Sequence, residues 1–368
     1  MSCLLSCRLS CLLESLDPRL VQGAWSLVLV LFAVNFGMGM AALLSWVERK
    51  QSALLQDRIG ANRASIFGFR VLGLFHIFSD AIKLLTKEDF IPPKGLRPWH
   101  DLAPAFSLGF AALCLAALPF GDHIDFLGRS WSLQPLPMGS GIVFVLAMLG
   151  VGVHGVVMAG WASGSAYSLL GGLRGAAQMI SYEVAMLSIL AGPLFLYGTL
   201  DLAEAARAQA HMIGGVLPAW GIFLQPLAAI LFLTAGAAET KRAPFDLPEG
   251  ESEIVGYFTE YSGMKFGMFM TTDFVETVLL AGLTTTLFLG AWHVPGLSLL
   301  GLPQPLFALI GVGAFIAKTC AVVWLLMQIR WTLPRFRFDQ LLALGWKNLL
   351  PLSLMNFLAT IWIIWGLR

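Results

Sequence analysis

Apolar runs of about twenty residues recur along this chain, and they limit it to one kind of fold. A helix of that length crosses roughly 30 Å of hydrocarbon. A bilayer also accounts for a composition of 57% hydrophobic and 12% charged residues, because lipid replaces water around most of the chain. We predict an all-α polytopic membrane protein with about eight transmembrane helices, over the approximate spans 24–46, 102–120, 141–160, 175–199, 216–237, 274–292, 308–331 and 348–366.

The domain organisation follows from the short connections between these spans. No long soluble insert separates them, so we expect a single membrane domain over 24–368, preceded by an N-terminal leader, 1–23, of uncertain structure. The leader carries Cys3, Cys7 and Cys11, whose spacing would place them on one stripe of a helix, and their role stays open. We find no convincing internal repeat, which disfavours an inverted-repeat transporter.

Lys and Arg residues are divided unequally between the two sides of the membrane. Seventeen fall on the side of the connection 47–101 and five on the other side. Because basic residues favour the cytoplasmic face, we expect both termini on the non-cytoplasmic side. The net charge of +1 gives no indication of nucleic-acid binding. The chain has no Cys-x-x-Cys pair, which argues against a zinc or iron–sulfur centre, and we expect no metal site in it.

The first cytoplasmic connection contains an amphipathic pattern. Apolar residues recur at helical spacing from about Ile66 to Thr86, and His76, Asp80 and Lys83 belong to a polar stripe between them. An amphipathic interfacial helix of this kind would either lie on the membrane surface or close over a cavity at membrane level. Asp80 and Lys83 are spaced to form an i,i+3 ion pair.

Ionisable residues inside apolar runs are costly and usually functional. Glu183 lies near the middle of its predicted span, where a carboxyl group needs a partner, a proton or a water-filled cavity; a permanently protonated structural Glu is the alternative. Lys318 carries the opposite charge, and an ion pair with a membrane carboxylate would satisfy both groups. Asp273 and Glu276 stand at the start of the sixth span, where they could serve only as its acidic N-terminus.

The densest charge lies between the fifth and sixth spans. Six carboxylates there accompany Lys241 and Arg242, and Pro244 and Pro248 prevent a continuous helix, so we expect a structured turn at the membrane surface. The six are Glu239, Asp246, Glu249, Glu251, Glu253 and Glu260. Crowded carboxylates titrate as a coupled group, which suits proton uptake or storage. An acidic solvated loop is the alternative.

Eight short motifs run through the chain from about residue 25 onwards. They are ERK at 48–50, QDRIGANR at 56–63, KLLTKED at 83–89, AYSLLGGLR at 166–174, SYEVA at 181–185, AETKRAPFDLPEGESE at 238–253, TEYSG at 259–263 and PRFRFDQL at 334–341. Together they resemble the H-subunit family (the subunit 1 family) of respiratory complex I, the proton-translocating NADH-quinone oxidoreductase. The long acidic motif is the most specific of them.

The resemblance implies a multi-pass subunit of the bacterial cytoplasmic (inner) membrane that does no catalysis alone. Its partners would be the other membrane and peripheral subunits, which hold FMN and the iron–sulfur clusters, with quinone as substrate and the lipid bilayer around it. The family implies a quinone chamber and a carboxylate path that couples quinone reduction to proton translocation. The chamber residues would be Arg49, Arg58, Asp80 and Lys83, and the path residues Glu183, Glu239, Asp246, Glu249, Glu251, Glu253, Glu260 and Asp273.

Departures from the family pattern leave some properties open. Ala61 stands where Pro is usual and His76 where Gln is common, so the quinone could be ubiquinone or menaquinone. The electron donor, the proton stoichiometry and the order of the carboxylates also stay open.

Three other functions are compatible with a membrane protein of this kind. One is the equivalent subunit of a related complex that takes electrons from ferredoxin, F420 or a hydrogenase. The others are a stand-alone secondary transporter and a purely structural anchor for the peripheral arm. A transporter would predict a midplane site between repeats, whereas charge here is concentrated on one membrane face.

Overall fold

Helices make up most of the structure, a computed structural model that describes residues 17–65, 67–126, 129–213, 217–248, 256–297, 301 and 303–366. The helices are α1 (Pro18–Leu55), α2 (Phe75–Thr86), α3 (Arg97–Leu115), α4 (Gly141–Ala162), α5 (Ala166–Tyr197), α6 (Leu202–Ala208), α7 (Gly221–Leu224), α8 (Pro226–Glu239), α9 (Gly263–Phe288), α10 (Gln304–Thr332), α11 (Phe338–Ala343) and α12 (Leu350–Gly366). A π-helical turn, Leu344–Leu349, joins the last two. Two small antiparallel hairpins pair β1 (His123–Phe126) with β2 (Arg129–Ser132) and β3 (Met212–Ile213) with β4 (Leu217–Pro218).

The predicted fold class is confirmed by the length and hydropathy of these helices. Within the described residues, six helices are long and apolar enough to cross a membrane: Leu20–Leu55, Gly141–Ala162, Ala166–Tyr197, Gly263–Phe288, Gln304–Thr332 and Phe338–Gly366. The two other predicted spans correspond to α3, with 19 residues, and to α8, an apolar helix of 14 residues. The chain is therefore a polytopic α-helical membrane protein.

The first helix is longer than its apolar run. It begins at Pro18, inside the predicted leader, and continues for 38 residues to Leu55. Apolar residues mark the part of a helix that meets lipid, whereas the helix itself continues through good helix formers such as those after Val47. The extension carries Glu48 and Arg49 beyond the apolar run on the same rigid element.

The amphipathic helix α2 begins later than its pattern suggests. Phe67 and Leu72 have φ angles of 48° and 50°, which are incompatible with a right-handed helix. Gly73, with φ of 85°, approaches the Ala61 carbonyl so closely that a Cβ atom would collide with it. The chain therefore turns sharply before α2 starts at Phe75, and α2 contacts both α1 and α9.

The central helix of the molecule is α9. All residues from 272 to 288 are buried, and α9 contacts α1, α2, α3, α6, α8 and α10. It begins at Gly263, so Asp273 and Glu276 lie well inside the helix. The interpretation of these two residues as an acidic helix N-terminus is therefore wrong, because the less apolar turns before them are also helical.

Lys318 on α10 is satisfied by backbone carbonyls instead of a carboxylate. Its Nζ donates to the carbonyl oxygens of Leu289, Ala291 and His293 at 2.8, 2.9 and 2.7 Å. It also lies 4.4 Å from the centre of the Trp220 ring. The carbonyls follow the C-terminus of α9, where the helix dipole favours a positive charge. The expected ion pair with a membrane carboxylate is therefore wrong.

Replacement of Lys318 by Met should destabilise the protein. Hydrogen bonds to charged groups contribute about 1.5–3 kcal/mol each, and the variant loses three of them together with the connection between α9 and α10. We expect a lower thermal unfolding midpoint in detergent, followed by circular dichroism. Lys347→Met, at an exposed lysine, serves as the control, and equal midpoints for the two variants would contradict this account.

Candidate functional site

An open cavity of about 350 Å³ lies between α1, α2 and α9. Arg49, Asp80 and Lys83, three of the four predicted chamber residues, line it together. The other lining residues are Met38, Ala41, Ala42, Ser45, Ile77, Ala81, Leu84, Phe266, Gly267, Met270, Thr271 and Phe274. The cavity is thus mainly apolar with a small charged group, and α2 closes over it instead of only lying on a surface.

The charged group in this cavity is organised by an ion pair between two helices. Arg49 Nη2 on α1 lies 2.6 Å from Asp80 Oδ2 on α2. Asp80 therefore pairs with Arg49 and not with Lys83, its predicted i,i+3 partner. The pair connects the extended end of α1 to the amphipathic helix, so it both closes the cavity and gives it polarity.

Arg58, the fourth predicted chamber residue, lies in a neighbouring open groove. The groove has a volume of about 380 Å³ and is lined by Glu48, Arg49, Ser52, Arg58, Ala61, His76 and Trp331. Arg58 Nε donates to Gln56 Oε1 at 2.7 Å. Because Arg49 lines both the groove and the cavity, the two spaces meet at its side chain.

Glu48 organises a second charged group that sequence reasoning did not identify. Its carboxylate accepts a hydrogen bond from Arg242 Nη1 at 3.3 Å and forms an ion pair with Arg330 Nη2 at 3.0 Å. The Arg242 guanidinium lies 3.6 Å from the centre of the Phe274 ring, and Phe274 lines the main cavity. These partners are far from Glu48 in sequence, so only the ERK motif marked this position.

A buried ion cluster lies where α8 ends against the middle of α9. Lys241 is 1% exposed, and its Nζ lies 3.3 Å from Asp273 Oδ1 and 3.4 Å from Glu276 Oε2. Glu239, two residues before Lys241, is 3% exposed. Of this cluster, Glu239 and Asp273 were predicted path residues, whereas Lys241 and Glu276 were not.

Glu239 and Glu276 share a small enclosed space. A cavity of about 20 Å³ is bounded by both residues and Thr240. Its remaining lining is apolar and consists of Leu146, Leu149, Met186, Phe232, Gly236, Leu279, Leu280 and Leu283. The side chains of Glu239 and Glu276 therefore border one apolar pocket.

Glu183 extends this buried carboxylate group onto α5. Its side chain packs against α4 at Gly150, where an added Cβ would lie 2.6 Å from Glu183 Oε1. Its charge also acts on Glu239. Three helices, α5, α8 and α9, thus place the half-buried Glu183 near the buried side chains of Glu239, Asp273 and Glu276.

The predicted turn after α8 is present over the described residues 240–248. Gln178 Nε2 on α5 donates to the carbonyls of Ala238 and Phe245 at 2.6 and 2.8 Å, which fixes the start of the turn. Within it, Asp246 Oδ2 accepts a hydrogen bond from Arg335 Nη2 at 2.9 Å. This part of the acidic stretch is therefore packed and paired, in contrast to a solvated loop.

The remaining predicted path residues are less informative. Glu260 lies in the turn before α9 and is half-buried. Glu249, Glu251 and Glu253 lie outside the described residues.

Comparison with known proteins adds an independent result. Residues 27–361 match the family model described as NADH dehydrogenase. The chain is 44% identical to the NADH-quinone oxidoreductase H-subunit 1 of Geobacter metallireducens, over 92% of this chain and 95% of the relative. It is 41% identical to the NADH-quinone oxidoreductase H-subunit of Thermomicrobium roseum, over 93% and 98%. It is 39% identical to NADH-quinone oxidoreductase subunit 8 of Rhodothermus marinus, over 90% and 95%. With both kinds of match covering nearly all of its length, the chain belongs to the NADH dehydrogenase family.

Proposed function

We propose that this chain is the membrane subunit of a bacterial complex I that forms the quinone chamber with the peripheral arm. The cavity between α1, α2 and α9 is the observation that carries the proposal. Ligand sites are typically concave, mainly apolar and equipped with few polar groups. A quinone has an apolar isoprenoid tail and a polar head group, and this cavity offers apolar walls together with the Arg49–Asp80 pair.

The charged residues of the chamber have a chemical task in this proposal. Reduction of a quinone to a quinol consumes two protons, so groups that exchange protons must lie within relay distance of the head group. Asp80 and Lys83 line the cavity, and Arg49 holds Asp80 in place. Electrons from NADH would reach the quinone through FMN and iron–sulfur clusters in partner subunits, and this chain would be inactive alone.

The buried carboxylates supply the second half of the proposed function, coupling to proton translocation. Carboxyl groups inside a membrane protein are retained with a partner, a proton or a water-filled cavity. Glu239 and Asp273 lie in one interior region that also contains Lys241 and Glu276, and the half-buried Glu183 lies beside it. We assign these residues to the start of the proton path, which Asp246 and the acidic turn would connect to the chamber side.

The relatives and the helices also support a location. Six long apolar helices and bacterial relatives that match nearly end to end support a multi-pass protein of the bacterial inner membrane. From the Lys and Arg distribution we assign both termini to the non-cytoplasmic side. The charged groove at the end of α1 would then face the cytoplasm, where a peripheral arm could dock.

Glu183→Gln should separate assembly from coupling. The substitution keeps the shape of the side chain and removes its exchangeable charge. We expect an intact complex whose NADH:quinone turnover and proton pumping in liposomes are lowered roughly tenfold or more. Glu204→Gln, at an exposed residue of α6, is the control. Normal rates together with normal pumping in the Glu183 variant would remove this residue from the path.

The proposed function itself is tested by purification of the assembly from its native membrane. Co-purification with flavin and iron–sulfur subunits and NADH:quinone activity sensitive to a quinone-site inhibitor are the expected results. An assembly that ignores NADH but accepts ferredoxin, F420 or hydrogen would assign the chain to a related complex. A chain that purifies alone and transports a solute would overturn the proposal.

A further inference from the structure

We propose that Lys241 is a positioning residue for proton transfer, because it sets the balance of one proton between Glu276 and Glu239. The inference rests on the proposed function, since it concerns the first buried carboxylates of the proton path. It assigns a role to a lysine that lies outside the predicted path.

The contacts of Lys241 connect the end of α8 to the middle of α9. Its Nζ lies between Asp273 Oδ1, at 3.3 Å, and the two carboxylate oxygens of Glu276, at 3.4 and 3.5 Å. The backbone at Lys241 has a φ of 53°, a left-handed conformation that residues with a Cβ adopt uncommonly. This turn directs the chain back after α8, and the side chain is almost completely buried at 1% exposure.

The cavity beside the lysine offers a route between two carboxyl groups. Within the described part of the chain, both oxygens of Glu239 are buried and lack a hydrogen-bond partner. Glu239 and Glu276 line the same cavity of about 20 Å³. A cavity needs roughly 10–15 Å³ to hold one water, together with polar partners. The volume therefore admits one water, and a rotation of either side chain would bring its carboxyl oxygens to that water.

The charges of Lys241 and the three nearby acids allow one proton to move between two carboxyl groups. Asp273, Glu276 and Glu239 are three acids, and Lys241 is the cation that contacts two of them. With Glu239 protonated, Asp273 and Glu276 are both charged and Lys241 compensates one of these charges. When Glu239 releases its proton through the water, Glu276 becomes neutral and Glu239 becomes a carboxylate. One proton changes place, and no electron is involved.

Lys241 determines the relative energy of these two states. Its charge stabilises the ionised form of Glu276 at 3.4 Å more than that of Glu239, because Coulomb attraction falls with distance and is strong in a dry interior. Without the lysine, Glu276 would lie in the protein interior beside Asp273 with no lysine in contact, so it would keep its proton and could no longer accept one from Glu239. Other titratable or charged groups that face the cluster are Glu183 on α5, Arg242 and Tyr257 in the turns, and Cys114 on α3.

The test compares variants of the assembled complex. Loss of one partner of a buried ion pair is strongly destabilising, whereas removal of both partners is often tolerated, so the principal variant combines Lys241→Met with Asp273→Asn and keeps both Glu239 and Glu276. Asp273→Asn alone, which keeps the lysine, gives the part of any loss that is due to Asp273. We expect this pair variant to assemble and to lose about tenfold or more of its proton pumping per NADH oxidised. Lys241→Arg keeps the charge, and we expect it to retain about half of the pumping.

Lys265, a lysine whose two partners reach solvent, provides the matched control. Like Lys241, Lys265 contacts two carboxylates, which are Asp89 and Asp101 at 2.6 Å each. Unlike the partners of Lys241, these two carboxylates are about half exposed. Water can solvate both of these carboxylates, so Lys265→Met leaves no buried carboxylate without a partner and should pump normally. The comparison separates the effect of a buried lysine from the effect of losing any doubly paired lysine.

A spectroscopic signature distinguishes proton positioning from a structural role. The infrared difference spectrum on quinone reduction should contain a carboxylic acid band that disappears in Glu239→Gln. We expect this band to be absent or shifted in the pair variant and present in Lys241→Arg. A pair variant that fails to assemble, or one with normal pumping and an unchanged band, would overturn the inference. Wild-type complex without NADH:quinone activity would instead overturn the proposed function.

Discussion

We expect Arg49→Met to lower inhibitor-sensitive NADH:quinone reductase activity by roughly a hundredfold, because small displacements of reacting groups have effects of that size. The variant loses the ion pair of 2.6 Å between Arg49 and Asp80 and with it the contact that holds α2 over the cavity. Oxidation of NADH by a water-soluble acceptor that bypasses quinone should remain at the wild-type rate. The two assays on the same membranes separate the quinone site from the redox centres of the partner subunits.

The control for this experiment is an ion pair without a cavity. Arg337 and Asp339 lie 3.8 Å apart with more than 70% of each side chain exposed, and such pairs contribute little. Arg337→Met should therefore retain quinone reductase activity. Equal activities for Arg49→Met and Arg337→Met, or an equal loss in both assays for Arg49→Met, would contradict a role of this cavity in quinone reduction.

Glu239→Gln should abolish proton pumping more completely than any other single carboxylate substitution. The side chain is 3% exposed, and its oxygens lack hydrogen-bond partners among the described residues. The substitution therefore breaks no hydrogen bond that stabilises the fold in this region. It lines the cavity shared with Glu276 and is affected by the charge of Glu183. Loss of a positioned proton-transfer group costs roughly a hundredfold or more.

The readout for Glu239→Gln is proton uptake into liposomes that contain the purified complex, normalised to NADH oxidation. Subunit composition and the thermal unfolding midpoint should match those of the wild type. Glu204→Gln again serves as the exposed control. A Glu239 variant that pumps at the wild-type ratio of protons to NADH would exclude this residue from the path.

The membrane helices could be predicted from the sequence because each crossing of the lipid requires about twenty predominantly apolar residues in a row. Apolar runs predicted the long helices, and Pro244 and Pro248 predicted the break after α8. The residues at which the helices begin and end were harder to predict. The start of α1 at Pro18 and of α9 at Gly263 depend on helix propensity and packing, which hydropathy does not report. Asp273 lies inside α9 for the same reason, because the helix begins well before the apolar run does.

The residues of the candidate site could be predicted only where they belong to a family motif. Arg49, Asp80 and Lys83 were selected by motif, and the structure brings them to one cavity. The partners of buried charges were not predictable, since they arise from long-range packing. Lys241 contacts residues on α9, Glu48 contacts Arg242 and Arg330, and no local pattern encodes these contacts.

The partners of Lys318 also could not be predicted from the sequence. Its charge inside an apolar run predicted an oppositely charged partner, yet three backbone carbonyls after α9 satisfy it. A helix C-terminus presents free carbonyl groups that carry partial negative charge. Sequence patterns of charged residues do not reveal such partners, because every residue has a carbonyl group.

Photoaffinity labelling can establish whether quinone enters the cavity between α1, α2 and α9. A quinone analogue with a photoreactive group on its tail would be irradiated with the intact complex and the labelled peptides identified by mass spectrometry. The account predicts label in the segments 38–49, 77–84 and 266–274, suppressed by excess quinone. Suppressible label confined to other segments or to other subunits would contradict it.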